Sequence, residues 1–458
     1  MSTPYQAVLY TPPRPVYSAE QPSLRRFLVA WRTNPLLLWP EAAYERDVIV
    51  NRQLGRTRIL INGPDAIHRV LVENPGNYRR TPAAIRILRP VVGEGLVLSE
   101  GRDWRHQRRT IAPAIAPRVI PLLARHIGAV AEETVASLGP RSHEHLNLLQ
   151  EMQFAALEIA SRSMFSLEMG AFGPEMRAML GDYAMRLSQL HLLDLLLPAS
   201  IPAPRDFARW RFRRRWMALI ERIIDARLAS DEGGAPRDLF DLLRTARDPE
   251  RGAAFTREQL RDQVATMIVA GHETTAITLF WSLYLLANAS GWQEAIAAET
   301  SGLDLGADVT PDALASLVQT RAVVSEALRL YPPAFTMMRA AIGPDRAGDI
   351  EIPRGAVLMI APWVLHRHRS LWRDPDAFDP SRFLPGQPQP PRFGYLPFGA
   401  GPRVCVGAQF AMAEATLVLA ALVQSFRVAL RDNQVVMPRP IVTTQPDRPP
   451  AFLLEPRA

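Results

Sequence analysis

Apolar positions along this chain recur mostly at helical spacing, with a few stretches of the two-residue alternation typical of strands. RDVIVNRQLGRTRILING (residues 46–63) predicts two strands around a turn, followed by a helix from Pro64. From there to about residue 330 the pattern predicts mostly helix. The longest predicted helix starts at Thr256, where Gln259 completes a capping box, and runs through DQVATMIVAGHETTAITLFWSLYLLANA. A helix apolar on almost every side has to cross the middle of the molecule. The helix in SEALRLYPP stops at its prolines, and GDIEIPRGAVLMIAPWVL (residues 348–365) predicts another strand pair. Ala408 to Val423 is a strong helix former, and the tail VVMPRPIVTTQPDRPPAFLLEPR predicts short strands punctuated by proline. The expected class is mainly α with a small β portion.

Residues 1–35 are Pro-rich and aperiodic, which predicts an arm. Residues 36–458 read as a single domain, because the 48% hydrophobic composition runs evenly with no repeat or long linker. No run reaches the ~18 to 20 apolar residues of a membrane span. The nearest, FLVAWRTNPLLLWP, is broken by Arg32, Asn34 and Pro35. One cysteine excludes an internal disulfide, and the N-terminus lacks an apolar signal core; a reducing cytoplasm is the expectation. The net charge is +7 and all 53 basic residues are arginine, interleaved with 46 acids, which speaks against nucleic-acid binding. RDFARWRFRRRWM (residues 205–217), after LHLLDLLLPASIP, is expected to be a loop and a solvated helix face; the alternative is an amphipathic membrane-surface patch.

The single cysteine lies in FGAGPRVCVG (residues 398–407), where Phe398, Gly399, Gly401 and Gly407 form a loop too poor in side chains to bury a thiol by packing. Cys405 precedes a predicted helix, whose N-terminal N–H groups favour a thiolate, so the sulfur is expected to be a metal ligand or a nucleophile. In the central helix, Ala270, Gly271, His272, Glu273, Thr274 and Thr275 set polar groups and a glycine mid-span, at a cost of ~1 kcal/mol for the glycine alone. Threonine hydroxyls bond back to preceding carbonyls there. The reading is a widened helix with room for a small molecule and an acid beside a hydroxyl to relay protons; a packing kink is the alternative. Glu326 and Arg329 share a helix face among apolar neighbours and predict a buried pair with a structural role, with Arg382 as third member. Trp104 and Arg108, four apart, present an indole N–H and a guanidinium suited to a ligand carboxylate.

Together these motifs resemble the cytochrome P-450 family of haem-thiolate monooxygenases, over nearly the whole chain. FGAGPRVCVG is similar to its cysteine loop, EALR to its Glu-x-x-Arg helix, FDPSRF to the segment whose arginine completes that cluster, and AGHETT to its oxygen-activating helix. The resemblance implies the family's fold, with haem b between the oxygen-activating helix and the cysteine loop. It implies that Cys405 ligates iron, that Trp104, Arg108, Arg339 and Arg403 hold the propionates, and that Phe398 and Gly407 flank the haem. Thr274 and Glu273 would serve O2 activation. Ala270, Phe335 and Met337, with Met338, would line a pocket for a lipophilic substrate. Electrons would come from a separate ferredoxin or flavodoxin with its reductase, drawn by Arg102, Arg105, Arg108, Arg109, Arg392 and Arg403. A peroxide-driven peroxygenase and a haem-binding sensor are the competing readings; a thiol-nucleophile enzyme would need a histidine that the loop does not supply.

Overall fold

The computed structural model describes residues 9–15, 29–30, 32–53, 56–166, 170, 172–189, 191, 193–194, 197, 201–229, 235–432 and 434–457. Strands β1 (Val48–Gln53) and β2 (Arg56–Ile61) pair antiparallel with Val48 opposite Ile61, as their alternation predicts. The turn at 54–55 lies outside the described residues. β3 (Tyr78–Arg79), β4 (Met337–Ala341) and β7 (Val357–Ile360) complete a sheet in the order β1-β2-β7-β4-β3, parallel between β2 and β7 and otherwise antiparallel. The strand pair predicted from residues 348–365 is not formed. Ile350–Ile352 (β6) pairs with Asp345–Ala347 (β5) instead, and β7 goes to the centre of the sheet. Gly355, at φ +81°, turns the chain between them, and Leu358 and Ile360 are buried.

The longer helices are α1 (Pro82–Val92), α2 (Gly101–Ile111), α3 (Ile120–Leu138), α4 (Leu148–Phe165), α5 (Gly173–Asp182), α6 (Asp206–Ala229), α7 (Leu239–Thr245), α8 (Arg257–Ala287), α9 (Ser290–Thr300), α10 (Val318–Leu330) and α11 (Ala408–Ser425). The tail supplies two antiparallel pairs: β8 (Phe426–Leu430) with β11 (Phe452–Pro456), and β9 (Pro438–Pro440) with β10 (Thr444–Pro446). The 31-residue α8 starts with the predicted capping box: Thr256 Oγ1 accepts from Gln259 N at 3.2 Å, and Gln259 Oε1 accepts from Thr256 N at 3.0 Å. Ile277, Phe280, Trp281 and Leu285 of α8 share one apolar core with Met152 of α4, Val324 of α10 and Leu419 of α11. By length and composition α11 could cross a membrane, which the sequence reading did not recognise; 56% of it is buried in this core.

The described part of the N-terminal arm packs on the domain: Tyr10 and Tyr284 hydroxyls lie 3.3 Å apart, and Arg14 pairs with Asp376 at 3.1 Å. In α6 the arginines do not share one solvated face, since Arg209 is buried with Phe212 and Trp216 while Phe207 and Trp210 are exposed.

His366 shows how polar groups are accommodated behind the sheet. Its Nε2 accepts from Leu396 N at 2.8 Å, and its Nδ1 lies 3.2 Å from the Arg329 carbonyl, which fixes a neutral tautomer. Burial, reinforced by the Arg329 charge, lowers its pKa from 6.5 to about 3. Above pH ~6.5 the ring is neutral in both folded and unfolded chains. As pH falls from there toward 3, only the unfolded chain takes up the proton, so stability is lost across that window. His366→Asn should therefore show a shallower fall in melting temperature between about pH 7 and pH 5 than the wild type. Identical slopes would contradict the assignment.

Candidate active site

The cysteine loop is shaped by two left-handed glycines. Gly399 has φ +73° and Gly401 φ +70°, and a Cβ on Gly401 would lie 2.0 Å from the Leu71 carbonyl oxygen, so no other residue fits there. Cys405 N donates to Phe398 O at 2.9 Å, which closes the loop directly before α11. The Cys405 side chain has accessible surface although protein surrounds it, as expected for a group facing an internal cleft. Burial raises the thiol pKa; a hydrogen bond from Gly407 N–H and the Arg108 charge act the other way. A cation at the sulfur would tip that balance to thiolate. Among the described residues no cluster of three or more His, Cys, Asp or Glu side chains could hold a metal ion.

Beside the loop lies an excess of positive charge. Arg79 of β3 pairs with Ala340 of β4, which brings Arg80 alongside Arg339. Arg403 joins them, with Glu100 as the carboxylate of the group. Burial, then the Arg339 and Arg403 charges, lowers the Arg80 pKa to about 9; burial first and the Arg403 charge next lower that of Arg339. Arg80 Nε is buried with no hydrogen-bond partner. Arg403 donates to Ser99 O at 3.1 Å and lies 4.5 Å from the centre of the Trp104 ring. Arg108 donates to Val404 O at 2.9 Å, so Trp104 and Arg108 both meet the cysteine loop. Such a cluster is tolerable in a fold that offers it a dianionic ligand. Arg80 escaped the sequence reading because no local motif marks it; only the strand pairing places it.

Four positions of α8 that keep accessibility share one face, while Val269 and Glu273 are partly exposed on another. On a helix that is otherwise mostly buried, Met267, Ala270, Gly271 and Thr274 retain exposure at spacings of three, one and three. A Cβ on Gly271 would meet no atom within 4 Å. Thr274 Oγ1 donates back to Ala270 O at 2.6 Å, and the helix stays α-helical throughout, so the expected widening is absent. Thr275, one position on, points elsewhere: its hydroxyl is 3.4 Å from Glu414 Oε2 of α11. Glu414 is fully buried, its Oε1 has no partner, and burial raises its pKa well above the usual carboxylate range. No local motif in the sequence marks this buried acid.

Adjacency in the sequence does not bring Glu273 to Thr274. The Glu273 carboxylate accepts from Gln445 Nε2 at 2.7 Å, Thr443 Oγ1 at 3.2 Å and Gln153 Nε2 at 3.4 Å, which ties it to the tail and α4. One step along a helix turns a side chain by ~100°, which accounts for the separation. Glu273 and Thr274 therefore make no direct hydrogen bond to each other here, and a proton passing between them would travel through a water. Met337 and Arg339 line a cavity with Gly399, Ala400 and Arg403, so β4 faces the cysteine loop. Phe335 is half-buried against the core, and Ala270 stands exposed on the α8 stripe. A larger polar groove lined by Ala297, Gln424, Arg427 and Arg457 lies apart from these residues, and its arginines are tied to Glu294.

The family model described as Cytochrome P450 matches residues 44–451. The chain is 33% identical over 385 residues to cyclooctatin synthase of Streptomyces melanosporofaciens, covering 82% of each protein. It is 30% identical over 411 residues to cyclooctat-9-en-7-ol 5-monooxygenase of the same organism, covering 89% of this chain and 88% of that one. The chain belongs to the cytochrome P450 family. Its fold matches the crystal structure of the cytochrome P450DA heme domain with a TM-score of 0.79, 24% identity and 99% coverage of both chains. The family implies a haem monooxygenase, and the residues present fit that cofactor: a lone sulfur faces a cleft, and beside it buried cations exceed their carboxylates.

Behind the cysteine loop of this P450, the predicted structural cluster is assembled. Arg329 donates Nε to Glu326 at 2.6 Å and Nη2 at 2.7 Å, both side chains being fully buried. Its remaining N–H groups reach the carbonyls of His366, Pro375 and Ala377 at 2.6 to 2.8 Å. Arg382 stands 3.6 Å from Glu326 and donates to Asp374 O at 3.1 Å. The basic face expected to attract a redox protein is smaller than the sequence suggests. Arg109 is neutralised by Asp248 and Glu250, while Arg108 and Arg403 are engaged inside; Arg102, Arg105 and Arg392 remain exposed.

Proposed function

We propose that this P450 inserts one oxygen atom from O2 into a lipophilic small molecule, by hydroxylation or epoxidation, using haem b and electrons from a separate ferredoxin or flavodoxin with its reductase. Cys405 would hold the iron, with Arg80, Arg339, Arg403, Trp104 and Arg108 around the propionates. Haem supplies the oxygen activation, and thiolate ligation favours O–O cleavage. The observation that carries the reading is the open stripe of α8, with Thr274 on it, in a fold that also presents the accessible thiol and the buried arginines. The residues' own work is positioning: Gly407 N–H and Arg108 stabilise charge on sulfur, and Thr274 Oγ1 holds or passes a proton at the reacting oxygen. Phe335, Met337 and Ala270 supply apolar walls that exclude water and suit a substrate without many polar groups. The single reduced cysteine agrees with a cytoplasmic setting.

One observation favours a peroxide-driven alternative: Glu273 is turned toward Gln445 and Thr443 rather than toward Thr274. Thr274→Ala separates the two readings. In the O2-dependent enzyme it should leave haem content and the first reduction intact while most NAD(P)H consumed ends as peroxide instead of product. Thr275→Ala, which faces Glu414, should change this ratio far less. Product and peroxide per NAD(P)H measure it. Full coupling in Thr274→Ala would leave the oxygen-activation role unassigned, and turnover with peroxide as fast as with the redox chain would remove the O2-dependent reading.

A further inference from the structure

Glu100 stands where a helix cap is expected and does not serve as one. It occupies the N-cap position of α2 with an extended backbone (φ −130°, ψ 163°), and its carbonyl accepts from Trp104 N at 3.3 Å. Its side chain makes no capping bond to the helix. The carboxylate turns to the arginine cluster instead, one oxygen paired with the Arg403 guanidinium and the other 3.4 Å from Arg80 N.

The loop that carries Glu100 is fastened on both sides, so the fold places this carboxylate. Glu94 N donates to Asp262 Oδ2 at 2.8 Å and Leu96 N to Gln263 Oε1 at 3.0 Å, which ties the loop to α8. Gln107 of α2 donates to Glu94 O at 3.0 Å and accepts from Ser99 Oγ at 2.9 Å. Ser99 O accepts from both terminal nitrogens of Arg403, at 3.1 and 3.2 Å, and the guanidinium lies over the Trp104 ring. Ser99, Glu100 and Trp104 together fix where the Arg403 charge sits.

Three guanidiniums, those of Arg80, Arg339 and Arg403, meet one carboxylate here. The surplus of two positive charges is the number that the two propionates of a haem neutralise. The Arg108 charge acts on the Cys405 sulfur. Without Glu100, the cluster would face a dianion with one positive charge unmatched. Positive charge near a haem favours its ferrous form, because reduction adds negative charge.

We propose that Glu100 stays paired with Arg403 when haem is bound and, as a positioning residue acting through that arginine, holds the haem reduction potential down. The charge of one loop residue would thereby restrict which donor proteins can reduce the iron. This inference rests on the haem placement proposed above and adds a residue that no haem contact requires.

Spectroelectrochemical titration of the full haem-loaded protein tests it, with Glu100→Gln removing the charge and Glu100→Asp keeping it. At the wild-type midpoint, Glu100→Gln should raise the ferrous-to-ferric ratio by about threefold to tenfold, and Glu100→Asp should stay within about twofold of the wild type. The Glu100 side chain is 34% exposed, so raising salt from about 0.05 M to about 0.5 M should shrink the difference. A residue that only braced the loop would give no salt-dependent shift, and its loss would appear as faster haem transfer to apomyoglobin. The carbon monoxide spectrum of the same reduced samples keeps the two readings apart. A red-shifted Soret band in all three proteins with an unchanged or lower potential in Glu100→Gln, or with an equal shift in Glu100→Asp, would overturn the role of Glu100 and leave the haem site standing. A wild type without that band would overturn the haem placement and this inference with it.

Discussion

Arg329→Ala should yield little or no folded protein. The side chain occupies the centre of a fully buried network: both Glu326 oxygens and three backbone carbonyls depend on its N–H groups. Removing it leaves a buried carboxylate without its countercharge and carbonyls without donors, at a cost of ~3 to 5 kcal/mol. Against a total stability of ~5 to 15 kcal/mol, that is enough to unfold a marginal domain. Arg329→Lys should rescue little, because an ammonium cannot span Glu326 and the carbonyls of His366, Pro375 and Ala377 together. Arg382→Ala should cost much less: its link to Glu326 is a 3.6 Å ion pair and its side chain is partly exposed. Soluble yield and the melting curve by circular dichroism measure all three. An Arg329→Ala protein melting within a few degrees of the wild type would show that the cluster is dispensable.

Cys405→Ala should do the opposite, leaving the fold and abolishing the chemistry. The thiol has accessible surface and packs into none of the apolar cores, so its removal creates no cavity. Apo protein carrying the substitution should melt within about 1 kcal/mol of the wild type. Haem content should fall and monooxygenase turnover should be lost, because alanine offers iron no donor and Cys405 is the one cysteine of the chain. A variant that binds haem and turns over normally would return Cys405 to the status of a small apolar residue. A variant that fails to fold without haem would give it a packing role the structure does not show.

The sequence made the local features of this P450 legible because each rests on short-range geometry. The Thr256–Gln259 capping box, the β1–β2 register and the Glu326–Arg329 pair all follow from short spacings, the widest being Val48 to Ile61. What escaped depends on pairing between distant segments. β6 and β7 look like a hairpin in one dimension, but burial of Leu358 and Ile360 on the central strand outweighs their nearness in sequence. Arg80 becomes part of the site only because β3 lies against β4, some 260 residues away, Arg79 facing Ala340. The partner of Glu273 is hidden for a related reason: the sequence sets it beside Thr274, while the Gln445 amide that holds it comes from the tail. Glu414 carries no sequence signal at all, since an acid within AMAEATLVLAA reads as a solvent-facing turn until the packing of α11 against α8 buries it.

The central claim is that the one cysteine of this chain ligates haem iron through its thiolate. The most direct test is the absorption spectrum of the dithionite-reduced holoprotein saturated with carbon monoxide, recorded for the wild type and for Cys405→Ala. The account predicts a strongly red-shifted Soret band in the wild type, the signature of a thiolate opposite carbon monoxide, and no such band in the variant. A wild-type Soret band at the position of histidine-ligated haem, or a red-shifted band that survives in Cys405→Ala, would contradict it.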